Sequence, residues 1–184
     1  MTKTKRIRNP SIARLHVALD VVAQLLSNAL SAFPGCIFGT DIKYSAREAH
    51  RSKSGKDLLS NVVKPNRHCE VCAKGALIVA HTLRFNELTA FDLVGMNSPQ
   101  QAHQLPEFPK RMMAEIETLF EGRIFDWNLP LLSVENIETL RTYSKENLKD
   151  LLPSDRLIHI MGLLIKNRGH FVLLGKLPQK KQSI

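Results

Sequence analysis

A chain of 184 residues is long enough to bury a core of its own without disulfides, metal or cofactor to hold it together. No segment approaches the roughly 20 uninterrupted apolar residues of a membrane span, and Met1 to Pro10 lack the apolar run of a secretory signal, so a cytoplasmic protein is expected. Three cysteines do not make a disulfide framework, and a net charge of +9 points toward polyanionic partners.

That charge is segregated. Lys3, Lys5, Arg6 and Arg8 form an arm without an acid. Residues 43–67 carry seven bases (Lys43, Arg47, Arg51, Lys53, Lys56, Lys64 and Arg67) against Glu48 and Asp57. The last nineteen residues add Lys166, Arg168, Lys176, Lys180 and Lys181, again without an acid. Each base that neutralises a phosphate releases a condensed counterion, so such blocks suit nucleic acid. Solvated termini with no partner are the competing reading for the two ends.

Pro10 after Asn9 opens a helix, and Ile12, Leu15, Leu19, Val22, Leu26 and Leu30 follow at helical spacing to a stop expected near Phe33, Pro34 and Gly35. Residues 36–44 read as irregular or a short strand, and residues 45–67 as polar chain with a short helix around Asp57 to Val63. Residues 69–84 predict a core helix carrying Val71, Ala73, Ala76, Leu77, Val79, Ala80 and Leu83. A polar, proline-bearing loop runs from Met96 to Pro109.

Met112, Met113, Ile116, Leu119 and Phe120 make one stripe of an amphipathic surface helix, with Glu115, Glu117 and Glu121 largely outside it and Gly122 as its stop. Two short helices are expected next, Ser133 to Leu140 and Ser144 to Leu151, each opened by a serine cap. The last helix, with Ser154 as cap and Asp155 in its first turn, runs to Lys166 and is apolar enough to pack on the first or second helix. Residues 170–174 read as a further short strand. The expected fold is mainly α, a single compact helical domain over residues 10–175 with at most a few short strands, flanked by a basic arm (1–9) and a basic tail (176–184).

His68-Cys69-x-x-Cys72 is the most distinctive local pattern. Zinc would need two further ligands, for which Cys36, His50, His68, His81 and His103 are scattered candidates. A redox pair at a helix start lacks the preceding strand of a thioredoxin-like unit. The competing reading makes Cys69, Cys72, Ala73, Gly75 and Ala76 small residues that let another helix approach. Glycine-loop and nucleophile motifs are missing, Glu115 and Glu117 diverge on their helix, and His159 and His170 have no substrate placed beside them. For nucleic acid, the candidate contacts are Lys3, Lys5, Arg6, Arg8, Arg47, Arg51, Lys53 and Lys56, to phosphates rather than base edges, with Tyr44 available to stack.

The order Cys69-x-x-Cys72-Ala73-x-Gly75-Ala76, then Ile116-Glu117-x-x-Phe120-Glu121, then Arg156-Leu157-x-x-Ile160-Met161 and Asn167-x-Gly169-x-Phe171 resembles a loosely defined group of uncharacterised bacterial and bacteriophage proteins. The resemblance implies a phage or mobile-element context and supplies no site residues. In that context the expected function is non-enzymatic binding to nucleic acid or a host nucleoprotein, extending to inhibition of a CRISPR or other defence complex. The alternatives are a zinc- or thiol-dependent enzyme centred on His68, Cys69 and Cys72, or an adaptor for an acidic protein partner.

Overall fold

The computed structural model describes residues 9–35, 51–95 and 105–173. Helix α1 (Pro10–Leu26) starts where Asn9 accepts the backbone N–H groups of Ser11 and Ile12 and Pro10 occupies the first turn. It ends short of the stop expected near Phe33. Asn28 takes a left-handed conformation (φ 53°) that breaks the helix, and Leu30–Ala32 then runs as strand β1.

Strand β1 pairs in parallel with β2 (Cys69–Val71), matching Leu30 to Cys69 and Ala32 to Val71. The connection between them carries helix α2 (Gly55–Val62), capped by Ser54, whose Oγ accepts the Asp57 N–H. A parallel pair needs such a crossover. Cys69, expected inside a helix, is therefore on a strand, and helix α3 (Ala73–Phe85) begins only after Cys72.

Helix α3 is the core element that its sequence predicts, with every residue from Ala73 to Thr82 buried. It packs against α1, α2 and α5 (Lys110–Glu121). A short helix α4 (Ala90–Gly95), with no counterpart among the expected elements, precedes α5. Its cap is reciprocal: Thr89 Oγ1 accepts the Asp92 N–H at 3.1 Å, and Asp92 Oδ2 accepts the Thr89 N–H at 2.8 Å.

Helix α5 stops at Gly122 (φ 70°) as predicted, and a 3₁₀ segment, Asp126–Leu131, folds back on it. The two short helices expected next are one, α6 (Val134–Asn147), because Ser144 lies inside a run with no breaker and caps nothing. Helix α7 (Pro153–Lys166) has Leu152 as its cap residue and Pro153 in its first turn. Ser154 does not cap it; its Oγ accepts the Ala32 N–H at 3.1 Å, satisfying an outer donor of β1. Helix α7 packs on α1, and residues 170–173 form no strand.

One charge lies at the centre. Lys74 is fully buried (0 % exposed), and its Nζ meets Glu117 Oε2 at 2.6 Å as an ion pair without the alignment of a hydrogen bond. The same oxygen accepts Asn128 Nδ2 at 2.6 Å and Trp127 Nε1 at 3.2 Å. Glu117, outside the apolar stripe by its spacing, is thus buried: the 3₁₀ segment covers that side of α5. Removing one partner of a buried pair strands the other charge, at a cost of about 3–5 kcal/mol, whereas replacing both with apolar groups is often neutral. Lys74→Met and Glu117→Leu are each expected to destabilise strongly in urea denaturation, and the double variant to recover most of the loss.

The turn after α7 closes onto α1. Gly169 (φ +83°) is so near Ser11 that an added Cβ would overlap the Ser11 carbonyl oxygen, and Arg14 Nε donates to the Gly169 carbonyl at 2.6 Å. Gly169→Ala therefore meets both backbone strain and a backbone clash. A lowered thermal midpoint, by at least the equivalent of about 1–3 kcal/mol, is expected.

Candidate functional site

The basic segment is held by its backbone while its side chains face solvent. Leu58 and Leu59 form the buried side of α2, Gly55 N–H donates to the Leu88 carbonyl at 3.0 Å, and Asp57 Oδ2 accepts the Lys53 N–H at 3.0 Å. Beyond α2, Asn66 N–H donates to Ser27 O at 3.2 Å and His68 N–H to Asn28 O at 2.9 Å, tying this turn to the end of α1. Arg51, Lys53 and Lys56 are all exposed, and so are Lys64 and Arg67, which belong to the same basic block.

Among the described residues, none of these five cations enters an ion pair. Arg84, in contrast, grips Asp20 through two nitrogens at 2.5 and 2.7 Å, and Arg111 Nε donates to Glu115 at 3.0 Å. Within residues 51–68 the acid is Asp57, which is engaged at the helix start. The segment therefore carries five exposed cations against one acid on a backbone tied to the core. Lys3, Lys5, Arg6, Arg8, Arg47 and Tyr44 lie outside the described residues, as do Cys36, His50, His103 and the tail.

The structure does not bring His68, Cys69 and Cys72 to one accessible place. His68 is exposed in a left-handed turn (φ 52°), whereas both thiols are buried and neither is in a disulfide. A short strand does precede the helix, contrary to the sequence reading, but the electrostatics oppose redox use. Burial pushes the Cys72 thiol up to about 12, helped by the charges of Glu121 and Glu117 and only partly opposed by the N–H groups of Gly75 and Lys74. Reactive thiols are shifted the other way.

The carboxylates of α5 are not a solvated row. Burial raises Glu115 against the lowering effect of Arg111, and burial raises Glu121 although it accepts the Gly35 N–H at 3.1 Å. His159 Nε2 is 2.9 Å from the Tyr143 hydroxyl. Beside them, a groove of about 250 Å³ along α6 is lined by Glu135, Glu138, Thr139, Thr142, Tyr143 and Glu146. Three carboxylates make it unfavourable for phosphate. Among the histidines offered as zinc ligands, His81 is the one that meets other ligating groups among the described residues, and these are Glu87 and Glu107 rather than cysteines. Their separations of six and 26 residues carry no motif that sequence reading detects.

Comparison of the chain with protein-family models, with curated proteins and with solved structures gives no match. The functional reading therefore rests on the molecule's own geometry and charge.

For Cys72 the sign of the pH effect follows from the raised folded-state value. Its neutral thiol is undisturbed below the ordinary value of 9.0, and its contribution to stability is lost as pH climbs from about 9 toward about 12. Thiol-specific labelling at pH 8 is expected to miss Cys72 in the native protein and to reach it in denaturant; rapid native labelling would contradict its burial.

Proposed function

We propose that this protein is a non-enzymatic binding protein whose basic segment meets the phosphates of nucleic acid or of a nucleoprotein. The observation that carries the reading is the set of exposed cations Arg51, Lys53, Lys56, Lys64 and Arg67, with no ion pair among the described residues, on a segment whose backbone is pinned to the core. A pinned segment loses little further backbone freedom on binding, and cations without acidic partners have no ion pair to break. The acid-free arm of Lys3, Lys5, Arg6 and Arg8 adds to the same attraction. No base-reading motif accompanies the charge, so the binding is expected to follow the backbone and to depend steeply on salt.

The test is affinity for DNA and RNA duplexes and single strands as a function of salt, for the natural chain and for a variant carrying Arg51→Gln, Lys53→Gln and Lys56→Gln. Each phosphate contact contributes about −0.9 to the slope of log K against log salt on B-DNA, so the triple variant is expected to reduce the slope by up to about 2.7. Its stability should be unchanged, because these side chains are exposed and form no ion pair among the described residues. Absence of salt-dependent binding at physiological ionic strength would sink the reading.

The narrower form of the proposal is inhibition of a CRISPR-type or other defence ribonucleoprotein. A pull-down from host extract, with and without nuclease, separates the outcomes. A defence complex among the eluted species supports inhibition. A protein partner unaffected by nuclease transfers the basic segment to an acidic protein surface instead.

A further inference from the structure

His81 lies in the last turns of α3 and is 1 % exposed, yet it is surrounded by charge. Its Nε2 is 2.9 Å from Glu107 Oε2 and 3.8 Å from Glu87 Oε2, and one ligating atom from each of the three residues falls within 4.8 Å of the others. Glu87 follows Asn86, the left-handed cap (φ 54°) that turns the chain at the end of α3. Glu107 comes from the turn before α5, where Arg14 Nη1 donates to its main-chain carbonyl at 2.6 Å and Phe108 N–H donates to Leu105 O at 3.0 Å. Phe85 sets its ring against the imidazole at 4.9 Å, edge to face.

An imidazole nitrogen carries at most one hydrogen and can direct it to one carboxylate. The 2.9 Å contact assigns that hydrogen to Glu107, while Glu87 Oε2 sits beyond hydrogen-bond reach of the same nitrogen and still converges on the same point. A single cation serves all three donors at once. Ligands about 2.0–2.1 Å from a tetrahedral centre stand about 3.4 Å apart, and the two observed separations of 2.9 and 3.8 Å bracket that value.

We propose that His81, Glu87 and Glu107 form a binding site for a divalent transition-metal ion of the zinc class. One imidazole nitrogen with two carboxylate oxygens suits Zn²⁺ better than Mg²⁺ or Ca²⁺, which favour all-oxygen shells. Glu87 is 20 % exposed, and water would complete a tetrahedral shell as the fourth ligand. The ion would clip the end of α3 to the chain entering α5. Among the described residues His81 Nδ1 is buried without a hydrogen-bond partner, so the imidazole lacks there the backing acceptor usual behind a metal ligand. Affinity is therefore about 10–100-fold below that of a fully backed site.

The experiment is calorimetric titration of the untagged, chelator-stripped full chain with Zn²⁺ alone. One equivalent is expected to bind and to raise the thermal midpoint. Glu87→Gln, at the least buried of the three residues and near-isosteric, is expected to weaken binding at least about tenfold with an unchanged metal-free circular dichroism spectrum. The double variant Cys69→Ser, Cys72→Ser is expected to titrate like the natural chain. No saturable uptake, uptake unaffected by Glu87→Gln, or uptake lost with the cysteines would each overturn the proposal. Nucleic-acid binding measured in chelator is independent of all these outcomes, so this site and the polyanion reading fail separately.

Discussion

The buried contact between Lys74 and Glu117 constrains the rest of the architecture more than any apolar pair does. Two charges removed from water are tolerated only when they meet, so α3 and α5 must cross at one register. The remaining valence of Glu117 then fixes the path of the chain beyond α5: Trp127 and Asn128 both donate to Oε2, which draws the 3₁₀ segment Asp126–Leu131 back over the helix that it leaves. Apolar burial supplies the drive to collapse but not this choice of partners, because Leu77, Ile78 and Leu119 would pack in several registers.

The other polar ties extend the same logic outward from α3. Arg14 ties α1 to the turn after α7 and to the turn before α5 through two carbonyls, Gly169 O and Glu107 O. Burial lowers the Arg14 guanidinium from its ordinary value, partly offset by the charge of Glu107, in accord with a cation that exchanges water for main-chain acceptors. Arg156 Nη1 does the equivalent at the end of α5, donating to the Phe120 carbonyl at 2.9 Å. Helix ends are where carbonyls lack internal partners, and two arginines from distant sequence positions satisfy such groups.

Long periodic elements are legible in the sequence, and local signals that compete with periodicity are less so. The start of α1 and the stop of α5 are short-range chemistry, and Asn9, Pro10 and Gly122 act as their positions imply, whereas Ser154 leaves the start of α7 to Leu152 and Pro153. The early stop of α1 is also written locally, in Ser27-Asn28, but the apolar spacing through Leu30 outweighs it. Likewise Thr89-x-x-Asp92 is a capping box that announces α4, yet the six residues after it are too few for a helical period to register. The strand at Cys69–Val71 is different in kind: three residues acquire strand character only by pairing with Leu30–Ala32, a contact across 39 positions that no local pattern encodes. The inward turn of Glu117 and the convergence of His81 with Glu107 belong to that same nonlocal class.

Placement of the polar groups separates charge committed inside the fold from charge left to solvent. Lys74 is paired with Glu117 and Arg84 with Asp20, so those charges largely cancel, while Arg14 and Arg156 are committed to main-chain carbonyls inside the fold. The cations of residues 51–68 face solvent with no acidic partner among the described residues, and the buried Cys72 thiol, its ionisation raised, adds no thiolate at neutral pH. The acidic groove of α6 belongs to a different helix and is lined by none of these cations. A net charge of +9 is in itself diffuse information. Once the internally committed arginines and lysines are set aside, a concentrated part of the remainder falls on one backed segment, and the physical case for a polyanionic partner comes from that distribution and not from the total.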